Sequence, residues 1–305
     1  TNPGDFDAVN EALESAGVEH IKDAPLCEYS TFRVGGPAAL LSFPVDEAGL
    51  LSAIRAAVTY KTKFIVIGNG SNILFSDDGF DGLVISTQRL RNIEICGNTL
   101  VAGCGAPLSA ITRAAARAGL SGLEFAHGIP GSCGGAVFMN AGAYGSEISN
   151  VLRSVRCYDV EAGVVCGIPA PELGLAYRHS VFMDNDRLVI LSAEFCLEPG
   201  ETLCIEARMS EIINKRRASQ PLEYPSAGSV FKRRPGYYMG KIIEESGLKG
   251  CRIGGAAVSE KHAGFIVNTG GASARDVLAL VEHIKAVILK NYGFEPECEI
   301  RFVGR

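Results

Sequence analysis

The chain has 305 residues, 47% of them apolar, which is enough for about two or three domains with real cores. Its net charge of −5 lacks the basic excess of a nucleic-acid-binding protein, and no stretch approaches the roughly 18–20 apolar residues of a membrane span. The ten cysteines are scattered without a C-x-x-C pair, and we read them as buried free thiols in a reducing cytosol rather than a disulfide framework.

The start, Thr1-Asn2-Pro3-Gly4, has no basic segment followed by an apolar one, so no signal peptide is expected. Asp5 to Ala16 reads as a short helix capped by Asp5 and stopped by Gly17. Thr31 to Pro44 reads as a glycine-broken strand pair, and Asp46 caps a second helix to about Tyr60. Phe64–Ile67 and Leu83–Ile85 are short strands, the first ending in Gly68-Asn69-Gly70-Ser71-Asn72. Ile93 to Gly103 is a strand, a turn at Gly97-Asn98 and a second strand; Pro107 to Arg117 is a helix ended by Gly119. Val155–Val160, Val164–Ile168 and Leu188–Leu197 are strands, and Glu201 to Arg217 is a helix ending in the basic run Lys215-Arg216-Arg217. Ala274 to Lys290 carries the clearest apolar stripe, Val277, Leu280, Val281, Ile284, Val287 and Ile288; Glu297 to Val303 alternates as a last strand. The total is a mixed α/β chain, with a boundary near Pro199-Gly200 where strands give way to helices.

Two glycine-dense loops hold most of the chemical information, Gly68–Asn72 and Gly128-Ile129-Pro130-Gly131-Ser132-Cys133-Gly134-Gly135-Ala136. Such loops aim backbone N–H groups at an anion with no side chain in the way, which suits a pyrophosphate; each taken alone is also an ordinary turn. Neither is a dinucleotide fingerprint, because Ile73 replaces the third glycine, and the segment from Gly236 to Lys241 is one residue short of a P-loop. The five histidines show no paired ligand spacing, so no metal is expected, and no G-x-S-x-G elbow is present.

With these segments in this order, the chain resembles the UDP-N-acetylenolpyruvoylglucosamine reductase (MurB) family from about residue 20 onward. The resemblance rests on Thr31-Phe32-Arg33-Val34-Gly35-Gly36-Pro37-Ala38, the two glycine loops, Asn140-Ala141-Gly142-Ala143-Tyr144-Gly145, Tyr177-Arg178-His179-Ser180, Gln220-Pro221, Ala227-Gly228-Ser229-Val230-Phe231-Lys232 and Glu299-Ile300-Arg301-Phe302-Val303-Gly304. It implies an FAD-binding domain of the vanillyl-alcohol-oxidase (PCMH) type, made of two α/β subdomains, plus a smaller C-terminal α/β substrate domain. The expected division is 1–30 for the N-terminal helix and lead-in, 31–199 for the FAD domain and 200–305 for the substrate domain. The short gap between Tyr177-Arg178 and Gly228-Ser229 matches the shorter family type, without a substrate-covering insertion.

The resemblance further implies a cytoplasmic, monomeric enzyme of peptidoglycan synthesis. It would use FAD and NADPH to reduce UDP-N-acetylglucosamine-enolpyruvate to UDP-N-acetylmuramate, with hydride from flavin N5. Arg33, Gly68, Asn69, Gly70, Ser71, Asn72, Gly128, Ile129, Pro130, Gly131, Ser132, Gly134, Gly135 and Ala136 would then hold the cofactor. Ser229 would be the proton donor and Arg178 the stabiliser of the charge that develops on the substrate. Glu299 would stand near the substrate carboxylate, protonated or paired with Arg178. Tyr144, Arg216 and Lys232 would meet the substrate, the two cations at its diphosphate. Arg233 and Cys133 stand where many relatives carry Asn and a small residue. Read locally, Ser229 is also a turn serine, Arg178 a strand-end arginine and Glu299 a solvent-facing one. The rival readings are another FAD oxidoreductase of the same superfamily, lacking this triad, and a non-catalytic UDP-sugar binder.

Overall fold

The computed structural model describes residues 5–304, so the Thr1–Gly4 start read above lies outside the described residues. The chain divides into two compact units. The first holds the residues up to Lys22, Leu40–Asn69 and Gly82–Arg216; the second holds Asp23–Ala39, Gly70–Asp81 and the chain from Arg217 onward.

In the first unit the helix Phe6–Ser15 begins where Asp5 accepts the Ala8 N–H at 3.0 Å, and Glu47–Thr59 begins where Asp46 accepts that of Gly49 at 2.8 Å. Their facing residues Val9, Leu13, Leu50, Ala53 and Ile54 are buried in one core. The strand Phe64–Ile67 pairs in parallel with Leu83–Ser86. The larger sheet has five strands, in the order Val164–Pro169, Leu152–Asp159, Leu188–Cys196, Thr99–Gly103, Ile93–Cys96, and every neighbouring pair is antiparallel. Its inner face contributes Leu100, Ala102, Val155, Cys157, Ala193 and Phe195 to the same core. The helix Leu108–Arg117 adds Leu108, Ile111 and Ala115.

In the second unit a four-stranded antiparallel sheet runs Ser226–Ser229, Phe265–Asn268, Ala256–Val258, Arg252–Ile253. The helix Ala274–Tyr292 buries Val277, Leu280, Val281, Ile284 and Ile288 in this unit's core; Val287, expected in that stripe, is partly buried. Its start is heavily determined. Ser273 and Asp276 form a capping box, and Asp77 accepts the N–H groups of Ala274 and Arg275 at 2.7 and 3.0 Å. Its end is Gly293 at φ 76, a left-handed cap. Ser273→Ala is expected to remove about 1 kcal/mol from this helix start, seen as faster hydrogen exchange at the Asp276 amide. The Asp276 carboxyl is held below its usual range, first by the Ser273 N–H and then by that of Gly255. A carboxylate depressed in the folded state stabilises above its unfolded pKa of about 3.9 and loses that contribution as pH falls. The same amide should therefore lose protection in acid.

The structure departs from the sequence reading in several places, and the second unit's sheet and the helix Met239–Glu245 had no counterpart in that reading. Thr31 to Pro44 is not a strand pair: only Pro37–Ser42 is a strand, preceded by a 3-10 turn, Leu26–Tyr29, and a loop. The reason is close approach, since a Cβ on Gly36 would lie 2.2 Å from the Asp77 carbonyl oxygen. Glu297 to Val303 is a strand only at Arg301–Val303, parallel to Ile73–Phe75, with an isolated bridge between Phe231 and Cys298 before it. The second glycine loop contains an unforeseen short helix, Cys133–Phe138. Of the ten free cysteines, Cys96, Cys196 and Cys204 are exposed rather than buried, lying at two strand ends and in the first turn of the helix Thr202–Ser219.

Candidate functional site

In the first unit the two glycine loops meet. A Cβ on Gly68 would lie 2.1 Å from Ser132 Oγ, and one on Gly134 would lie 3.0 Å from Cys104 Cβ. At Gly68 only hydrogen leaves room for the Ser132 side chain, and at Gly134 a Cβ would push Cys104 back by a few tenths of an ångström. Asn69 donates to the Pro130 carbonyl at 3.5 Å. Ser132 is buried and caps Cys133–Phe138, accepting the Gly135 N–H at 3.5 Å. The Cys133 and Gly134 N–H groups are spent on the carbonyls of Ala106 and Cys104, both at 2.8 Å. Burial pushes the Cys104 thiol up to about 12 and the Cys133 thiol higher still, so both are packed thiols rather than nucleophiles. A side-chain-free cradle of this kind fits a flavin nucleotide's pyrophosphate.

A second cluster in this unit gathers Tyr144, Arg178 and Arg216. Gly142–Ala143 and Ser146–Glu147 form a tight hairpin with Tyr144-Gly145 at its tip. Arg178 Nη2 donates to the Gly142 carbonyl at 3.0 Å, and its guanidinium lies 5.0 Å from the Tyr177 ring centre. Tyr144 donates to the Ile212 carbonyl at 3.5 Å. One turn further along that helix, the Arg216 side chain lies across Gly128, where a Cβ would meet its Cδ at 2.9 Å. Arg216 Nε is buried with no hydrogen-bond partner, and burial lowers the guanidinium's pKa. An orphaned buried donor on a cation is open to an anionic partner.

Sequence reasoning missed the residue that holds this cluster together. Asn140 is fully buried, and its amide donates to Glu147 and to the Ala176 carbonyl, both at 3.0 Å, while its oxygen accepts the Ser149 N–H at 2.9 Å. It thus ties the Tyr144 hairpin to the turn that carries Arg178. Backbone strain was a further signal hidden from sequence. Among the described residues six non-glycine ones have positive φ, and Arg33, Tyr144, Arg178 and Asn140 are four of them, at 55, 54, 53 and 41°. Such conformations cost about 1 kcal/mol or more each and collect at functional sites.

In the second unit Ser229 ends the strand Ser226–Ser229 opposite Phe265, after a bulge at Gly228, whose φ is 78. Glu299 lies on the adjoining segment: its N–H donates to the Val230 carbonyl at 2.7 Å. The Glu299 carbonyl accepts from Asn72 Nδ2 at 3.0 Å, so that asparagine's side chain is engaged in fixing this segment. Ser229 and Glu299, seventy residues apart, are therefore brought onto neighbouring half-buried segments. Thr31 donates to the Ser226 carbonyl at 2.7 Å, and Asn268 donates to the Arg33 carbonyl at 3.4 Å. Lys232 pairs with the exposed Glu297, a surface contact worth about 0–1 kcal/mol. Among the described residues, no helix is long and apolar enough to cross a membrane.

The class of protein is given by the first unit's loops together with a family model described as FAD binding domain, which matches residues 38–167 and spans both loops. A second model, the C-terminal domain of UDP-N-acetylenolpyruvoylglucosamine reductase, matches residues 220–303. The reductase of that name from Clostridium perfringens (strain SM101 / Type A) is 46% identical over 283 residues, 93% of this chain and 92% of its own. That of Pediococcus pentosaceus is 46% identical over 287 residues, 94% of this chain and 95% of its own. The solved structure of UDP-N-acetylenolpyruvylglucosamine reductase (MurB) from Thermus caldophilus superposes with a TM-score of 0.79 at 35% identity, covering 93% of this chain and 98% of that one. The chain belongs to the UDP-N-acetylenolpyruvoylglucosamine reductase (MurB) family.

Proposed function

We infer that this chain is an FAD- and NADPH-dependent oxidoreductase that reduces UDP-N-acetylglucosamine-enolpyruvate to UDP-N-acetylmuramate in peptidoglycan synthesis. The observation that carries the reading is the 46% identity over 283 residues, 93% of this chain. We place the FAD-binding part at 31–199 and the substrate part at 200–305; the family-model ranges of 38–167 and 220–303 support that order. A monomer in the cytoplasm is proposed alongside.

FAD, when bound, supplies the hydride chemistry, and the protein supplies binding, orientation and electrostatics. Arg33 and the loops Gly68–Asn72 and Gly128–Ala136 hold its nucleotide, where glycine lets main-chain amides approach the phosphates. Arg178, tethered through Gly142, presents a guanidinium fork to the substrate carboxylate as charge accumulates on it. Ser229 holds the proton that goes to the carbon next to that carboxylate. A serine hydroxyl is a weak acid and protonates only a strongly basic carbon. Glu299 stands near the same carboxylate. Tyr144, Arg216 and Lys232 receive the substrate, and Arg216's orphaned Nε supports a diphosphate contact there.

Purified protein should show flavin absorption and turn over NADPH beyond one equivalent only when UDP-N-acetylglucosamine-enolpyruvate is present. A colourless protein would sink the reading, whereas flavin without substrate-dependent NADPH loss would favour a different flavin oxidoreductase. Arg178→Lys is expected to lower kcat by about 10²-fold or more, because a point charge cannot reproduce the guanidinium fork.

A further inference from the structure

Away from every residue assigned above, the first unit sets two thiols face to face. Cys157, in Leu152–Asp159, and Cys166, in Val164–Pro169, are directly opposed in antiparallel register, and their Sγ atoms are 3.5 Å apart. Both point to the sheet's inner face, where Cys157 is fully buried in the core and Cys166 packs against it half-buried. Cys166 belongs to an edge strand, paired on one side only, so its sulfur is the more accessible.

We propose that Cys157 and Cys166 form a modification site, a thiol pair that takes a low-molecular-weight disulfide as its two-electron oxidant and closes to an intrachain disulfide. Directly opposed antiparallel residues have Cα separations of about 4.5 or 5.5 Å. Both fall inside the roughly 4.4–6.8 Å that a disulfide accepts. The two sulfurs need to close by only about 1.5 Å, a side-chain rotation with no backbone movement. In the first step Cys166 Sγ, as thiolate, attacks one reagent sulfur; the reagent S–S bond breaks and one small thiol leaves. In the second, Cys157 Sγ attacks Cys166 Sγ and the second small thiol leaves. The protein pair loses two electrons and two protons, and the reagent gains both as two thiols.

The order of attack follows from burial. The Cys157 thiol is pushed up to about 12, first by burial and then by its neighbours Cys166 and Asp159. It therefore waits for an electrophile to be delivered beside it. Cys104 and Cys133 are both buried, and Cys96, Cys196 and Cys204 are exposed, so the latter three are expected to stop at mixed disulfides. Closure would staple the edge strand to its neighbour across one hairpin.

The test is incubation of the native protein with oxidised glutathione, alkylation of remaining thiols, digestion without reduction, and peptide mapping by mass spectrometry. The expected result is a linked pair of peptides carrying Cys157 and Cys166, two hydrogens lighter than the separate thiols and restored by dithiothreitol. In Cys157→Ser, Cys166 should retain a glutathione adduct; in Cys166→Ser, Cys157 should stay unmodified. A wild-type protein in which Cys166 holds the adduct without closing, or in which both residues are simply alkylated, would overturn the proposal.

Discussion

In Ser229→Ala, reduction of the bound flavin by NADPH should persist while reduction of the enolpyruvyl ether falls about 10³-fold, inside the span that general acids contribute. Ser229 sits at the end of a strand, opposite Phe265 and just after the register shift at Gly228, and it is half-buried rather than surrounded by water. Alanine keeps the backbone and the neighbouring Val230 and Glu299 contacts, which are main-chain bonds. Only the hydroxyl proton is lost, so only the half-reaction that consumes a proton at carbon should slow. Stopped-flow measurement of the two half-reactions separates them. Equal slowing of both would mean that the residue shapes the site and donates nothing.

Gly68→Ala is expected to strip the protein of flavin. The new Cβ would lie 2.1 Å from Ser132 Oγ and 3.1 Å from its Cβ. Ser132 has nowhere free to go, because it is buried and its hydroxyl caps the helix Cys133–Phe138. Either the cap breaks or the two loops part. Overpacking of this kind costs about 1–3 kcal/mol, and loop separation also removes the close backbone approach on which the proposed pyrophosphate cradle depends. The ratio of flavin to protein absorbance reads the outcome. Gly97→Ala is the control: its φ of 56 strains a side chain, but a Cβ there meets nothing within 4 Å, so flavin should be retained. Full flavin occupancy in Gly68→Ala would show that the loops do not serve as the cradle.

Much of the fold was readable before any coordinates. Asp5 and Asp46 marked helix starts that the structure reproduces, and the Gly97-Asn98 turn joins the two strands expected around it. The failures share a cause. Thr31 to Pro44 and Glu297 to Val303 have strand-like composition, yet their backbones are committed to segments distant in sequence: Gly36 to the Asp77–Gly79 turn, and the Glu299 carbonyl to Asn72. No window of neighbouring residues contains that information.

The candidate site divides along the same line. Its chemistry was legible: glycine-dense loops, an arginine, a serine and an acid in a recognisable order. Its mechanics were not. The burial of Asn140, the left-handed backbones of Arg33, Tyr144 and Arg178, and the orphaned Nε of Arg216 follow from packing.

Residue order alone thus established the five longer helices, the strands of the five-stranded sheet, the flavin-binding character and the family, but none of the second unit's four-stranded sheet, because periodicity, capping and motif chemistry act over a few neighbouring positions. Folding in three dimensions was needed to press Gly68 against Ser132, to seat Glu299 beside Val230 and to set Cys157 opposite Cys166. The last pair is a matter of strand register. The first two join segments 64 and 69 residues apart, and such distances are set by how whole elements pack rather than by any local preference of the chain.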